Sequence, residues 1–172
     1  MPVLFSSLCR LLKHTIPQGE TDNETEFAAI IQEYEKVCEG VANTISSIAS
    51  YGVQEIKDQE VTVEDKMLYG PENSPMQRLF QRGNTNLKGI AQSDVAETLV
   101  SVLAEGNKSK DTVVAVIEAI ADCSVYIENA KKFTNMGVMK DLVRFITEAQ
   151  DFRSYIVHMS IEALWNLIEV VG

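Results

Sequence analysis

The chain repeats itself. Displaced by 43 residues, Asn86 falls on Asn129, Lys88 on Lys131, Ile90 on Phe133 and Val95 on Val138. Under the same displacement Leu99-Val100 falls on Leu142-Val143, Val102-Leu103 on Phe145-Ile146 and Glu105 on Glu148. One extra residue in the second copy changes the register to 44. Val113 then meets Val157, and Ile117-Glu118-Ala119-Ile120 meets Ile161-Glu162-Ala163-Leu164. A weaker echo at 72 residues sets Val41, Ile45, Ile48 and Ala49 on Val113, Ile117, Ile120 and Ala121. A unit of this length has too little core of its own and must bury its apolar stripes against its neighbours, which points to a stacked-repeat solenoid.

The apolar spacing is helical along most of the chain. Leu4, Leu8, Leu11 and Leu12 form one stripe, and Phe27, Ile30, Ile31, Tyr34, Val37 and Cys38 a second. Val41, Ile45, Ile48 and Ala49 form a third, each stripe fitting one buried helix face. Ile16-Pro17-Gln18-Gly19 breaks the first helix, Thr21 or Asp22 can cap the next, and Gly40 is a candidate split or bend in the segment 24–50. Within the repeat, short first helices are expected at 84–91 and 127–134, second helices at 94–104 and 137–148, and longer third helices at 111–123 and 154–170. Gly137 sits at the turn into a second helix, where φ > 0 costs a glycine little, and its counterpart Asp94 can cap. Residues 52–83 lack sustained periodicity and read as a long connection, with Ser74-Pro75 as a helix start.

The stretch Asn135-Met136-Gly137-Val138-Met139-Lys140-Asp141-Leu142-Val143 resembles the Gly-x-x-x-x-Leu-Val turn of armadillo-repeat proteins. Ala163-Leu164-Trp165-Asn166-Leu167 resembles that family's third-helix core. The resemblance implies an all-α fold, an armadillo/HEAT-like right-handed superhelix of about three repeats. Residues 1–51 would be a degenerate first repeat, 52–83 an irregular connection or insertion, and 84–126 and 127–172 two further repeats. Armadillo folds serve as scaffolds for many partners, so the motif speaks for the fold more than the function. Nuclear-import adaptors of this fold place an Asn four residues after a groove Trp; here Glu169 stands four after Trp165, against a nuclear-localisation-signal receptor. Leu164-Trp165-Asn166-Leu167-Ile168-Glu169, with Phe152-Arg153-Ser154 before it, is similar to the armadillo proteins of the ciliary and flagellar axoneme. That likeness implies a scaffold of the central apparatus.

Charge narrows the functional classes. The 15 Lys+Arg against 25 Asp+Glu give a formal charge of −10, spread along the chain without any basic stripe, which argues against nucleic-acid binding. No stretch approaches the ~20 uncharged apolar residues of a membrane span. Arg10, Lys13 and His14 follow the apolar start rather than precede it, unlike a secretory signal. Cys9, Cys38 and Cys123 are too scattered for a disulfide framework and read as small hydrophobes in a reducing, intracellular compartment.

No constellation for chemistry emerges. His14 and His158 lack neighbours at metal-ligand spacing, and neither Cys38 nor Cys123 has an adjacent base. Glu24, Glu26, Glu33, Glu35 and Glu39 alternate with apolar positions and read as a solvated helix face. Residues 83–89 lack the Gly-Lys-Ser/Thr of a phosphate loop, with Asn84 or Thr85 a helix cap. The expectation is a protein that is not an enzyme and takes no cofactor, metal or small-molecule substrate.

Trp165 reads as a core residue, its phase with Ile161, Leu164 and Ile168 setting it beside the buried stripe; the alternative is that it lines a concave groove and stacks on a partner peptide. Glu162 and Asn166 are then the more exposed. Glu118, Glu162, Trp165 and Asn166 are the candidate partner-binding residues. Both ends of the chain are apolar, Val3-Leu4-Phe5 and Leu167-Ile168-Glu169-Val170-Val171, without the polar caps that solenoids normally carry. Either the chain is a piece of a longer solenoid or its open faces dock on other chains; a subunit of a larger assembly is expected, and the resemblance above implies the axoneme. The alternative is an adaptor binding a basic linear peptide in an acidic groove.

Overall fold

Helical periodicity becomes helix wherever the repeat predicts it. The computed structural model describes residues 2–12, 24–51, 85–105 and 108–171, and among these it is all-helical. The helices are α1 (Pro2–Leu12), α2 (Glu24–Ser50), α3 (85–91), α4 (Val95–Ala104) and α5 (Lys110–Cys123). They continue with α6 (Ile127–Asn135), α7 (Val138–Thr147) and α8 (Tyr155–Val171). From the end of α3 onward each helix end falls within one residue of its expected position. The expected connection at 52–83, the break at 16–19, the caps at Thr21, Asp22 and Asn84, and His14 lie outside the described residues.

The centre of the packing is α5, which lies against α2 and against α8. It therefore has to be apolar on more than one side, and Ala115, Val116, Ile117, Ala119, Ile120 and Ala121 are all buried. The alanines let neighbouring backbones come close, while Ile117 and Ile120 fill the space between. Burying one such isoleucine stabilises the fold by about 1.5–3 kcal/mol. Around this axis, α1 packs on α2 and α4, and α6 and α7 pack on α8.

Three local expectations change. α2 runs through Gly40 unbroken, with the Thr44 hydroxyl donating to the Gly40 carbonyl at 2.7 Å. A mid-helix glycine costs only about 1 kcal/mol relative to alanine, less than burying Cys38, Val41, Ala42 and Ile45 returns. On α1 the buried face is Phe5, Leu8, Cys9 and Leu12, with Leu4 and Leu11 exposed; on α2, Ile30 and Val37 are exposed as well. Asp94 makes no side-chain cap to α4. The neighbouring Ser93 hydroxyl accepts from the Val95 amide at 3.3 Å instead.

Gly137 does take φ +78°, turning α6 into α7. The paired asparagines both tie units together: Asn86 Nδ2 donates to the Ile48 carbonyl at 3.2 Å, and Asn129 Nδ2 to the Leu87 carbonyl at 3.2 Å. Glu35 is not simply solvated. It accepts from the Ser109 amide at 3.0 Å at the N-terminus of α5, where a negative charge is favoured by the helix dipole. All three cysteines are buried. No helix among the described residues is long and apolar enough to cross a membrane.

Candidate functional site

Glu118 lies on α5 and Glu162, Trp165 and Asn166 on α8, and their surroundings differ. α8 turns Val157, Met159, Ser160, Ala163 and Leu167 inward. Among the described residues, the opposite side of the helix is exposed. Trp165 lies on that side and is 67 % exposed, so it is not a core residue; its indole Nε1 donates to Glu169 Oε2 at 3.0 Å. Ile161 and Ile168 share the exposed face, and of the stripe expected to surround Trp165 only Leu164 is half-buried against the core. The buried face of α8 is thus turned away from that stripe, because α5, α6 and α7 all lie on the Ala163 side.

Asn166 also departs from expectation. It is half-buried, and its Nδ2 donates to the Ala121 carbonyl at 3.0 Å, satisfying a carbonyl in the last turn of α5. The bond ties α8 to α5. Glu162 is exposed as expected.

Glu118 is half-buried and accepts from the Tyr155 hydroxyl at 3.4 Å. The Tyr155 phenol is pushed above its ordinary pKa, first by burial, then by the negative charge of Glu118, with Glu162 and Asp122 adding to it. Of these carboxylates, Glu118 is the one at hydrogen-bond distance of the phenol. The His158 ring stacks on Tyr155 with centroids 6.4 Å apart, and His158 itself is exposed.

Tyr155, Glu169 and the exposed Ile161–Ile168 pair were not among the sequence candidates. Nothing in the spacing points to Tyr155, since its partner Glu118 is 37 residues away. The isoleucines did carry a signal. α8 is apolar nearly all round, through Tyr155, Ile156, Val157, Met159, Ile161, Leu164, Trp165, Leu167 and Ile168, and a helix of that kind has more apolar surface than one core can cover.

Leu4, Asn43, Thr44, Ser47, Ile48, Tyr51 and Asn86 line an open depression of about 390 Å³ that includes none of the four candidates. Among the described residues no group of three or more His, Cys, Asp or Glu side chains is placed to hold a metal ion. No family model, no curated protein and no solved structure matches this chain.

The chemistry available along α8 is that of adhesion. An aromatic–aliphatic stripe with carboxylates beside it can bury apolar surface and attract cations. The buried thiols are poor nucleophiles, because burial pushes both Cys38 and Cys123 above the ordinary thiol pKa.

Proposed function

We propose that this protein is a non-catalytic scaffold, an armadillo-like right-handed superhelix that holds other proteins within a larger assembly. The observation that carries the reading is the open face of α8, where Ile161, Trp165 and Ile168 stand out from the chain's own core. Monomeric proteins seldom leave a contiguous aromatic–aliphatic stripe in water unless something binds it. The 43-residue repeat supports the superhelix, because units of that length gain stability by stacking.

The axoneme is the assembly we propose, on the likeness of the phrase around Trp165 to ciliary and flagellar armadillo proteins. The test is localisation of a tagged chain in ciliated cells before and after detergent extraction. Retention on the extracted axoneme is expected. A signal that washes out completely would refute the axonemal assignment.

The adaptor reading has one observation of its own. Glu118, Glu162 and Asp122 all bear on Tyr155, a local concentration of negative charge suited to a basic segment. It predicts peptide binding that weakens with salt.

A further inference from the structure

Ile117 and Ile161 occupy the same place in the repeat, as do Ala121 and Trp165, and Ser124 and Ile168. At the end of α5 these positions are 0 %, 1 % and 0 % exposed; on α8 they are 52 %, 67 % and 59 % exposed. One register earlier, Ile45 and Ala49 of α2 are again fully buried. On α5 this region is closed by the next third helix, as the Asn166 bond to the Ala121 carbonyl marks. On α8 the same region is open.

We propose that the open face of α8 binds a basic amphipathic α-helix supplied by a partner protein. The repeat register argues for a helix, because a helix is what covers these positions on α5. Ile161, Trp165 and Ile168 are spaced i, i+4 and i+7, the pattern that receives apolar anchors of matching spacing from an opposing helix. Charge argues for a basic one. Glu162 and Glu169, also seven residues apart, border the stripe along one edge, and α8 contains no Lys or Arg. A second copy of this chain fits less well: its α8 would bring the same glutamates, and its α2 carries Glu33, Glu35 and Glu39 against Lys36 alone. The inference rests on the scaffold reading and names the chemistry of its partner.

Trp165 is the only tryptophan and lies in the middle of the stripe, so its emission reports occupancy. The full chain is titrated with a tryptophan-free amphipathic helical peptide of Leu and Lys, and separately with the same peptide carrying Glu for Lys. A saturable blue shift is expected with the Lys peptide and none with the Glu peptide, with affinity falling several-fold as salt is raised. Ile161→Asp keeps the reporter and, because its site is exposed, the fold; it should weaken the Lys peptide more than tenfold. Glu162→Gln with Glu169→Gln should weaken it several-fold and flatten the salt dependence.

Equal response to both peptides, or none to either, would overturn the proposal. A blue shift that grows with protein concentration alone would assign the face to a second copy. Emission already blue in the dilute chain would mean that the chain's own residues cover it. Peptide binding and axonemal retention are separate readouts: loss of the first with the second intact rejects the basic helix and leaves the scaffold, and the converse rejects the scaffold assembly alone.

Discussion

The Ser46 hydroxyl donates to Asp122 Oδ2 at 2.5 Å, joining α2 to α5 across 76 residues of chain. Ser46 is buried, so its hydrogen bond is to a charged acceptor sheltered from water. Removing such a donor costs about 1.5–3 kcal/mol. Ser46→Ala should therefore lower unfolding stability by about 2 kcal/mol with the urea m-value unchanged. A loss within error of zero would mean that the two long helices are held by apolar packing alone.

Two glycines make opposite predictions from one substitution. Neither Gly40 nor Gly137 has any atom within 4 Å of where a Cβ would stand. Gly137→Ala meets only backbone strain at φ +78°, and should destabilise by about 1–2 kcal/mol. Gly40→Ala replaces a helix-interior glycine and should stabilise by about 0.5–1 kcal/mol. Thermal melts of the two variants beside the parent check both signs.

Trp165 gives a third contrast. A buried tryptophan truncated to alanine costs about 3–5 kcal/mol, whereas exposed positions usually stay within about 0.5 kcal/mol. Trp165→Ala should therefore leave stability nearly unchanged. Asn166→Ala, its immediate neighbour, should cost about 1 kcal/mol because it removes the side-chain bond that ties α8 to the Ala121 carbonyl of α5. A large loss at Trp165 would put its side chain in the core.

The pH dependence follows from thiols and phenols whose surroundings disfavour ionisation. Burial raises the thiols of Cys38 and Cys123 above their ordinary 9.0, and the phenols of Tyr34 and Tyr155 above 10.0, with Glu118 adding to the effect on Tyr155. The unfolded chain gives up these protons near the ordinary values while the folded chain keeps them. Their contribution is thus complete below the ordinary pKa and is lost as pH rises through the raised folded values. Urea midpoints should be level between about pH 7 and 8 and fall above about pH 9. Thiol reagents should modify Cys9, Cys38 and Cys123 only as the chain unfolds.

Much of the architecture was legible because it repeats. The register that sets Ile117 on Ile161 fixed the helix bounds from α3 to α8, and Gly137 marked its turn by the one backbone angle that glycine takes cheaply. The facing of individual helices was less legible. Periodicity states that a stripe exists but not which of two apolar stripes the neighbours will cover, and α8 carries two. Val157, Ala163 and Leu167 went inward, and Ile161, Trp165 and Ile168 stayed out. Contacts such as Ser109 with Glu35, 74 residues apart, depend on how α2 and α5 meet and leave no mark in local spacing. At the candidate site the sequence therefore indicated the helix, and the acid at Glu162, but gave Trp165 and Asn166 each other's surroundings.

A comparison of the tagged chain with its Ile161→Asp variant in detergent-extracted ciliated cells bears on the whole proposal at once. Ile161 is 52 % exposed, so the variant should fold, with circular dichroism and thermal melting as the check. The scaffold reading predicts that the parent chain stays on the extracted axoneme and the variant washes out. Complete extraction of the parent, or equal retention of both, would contradict it.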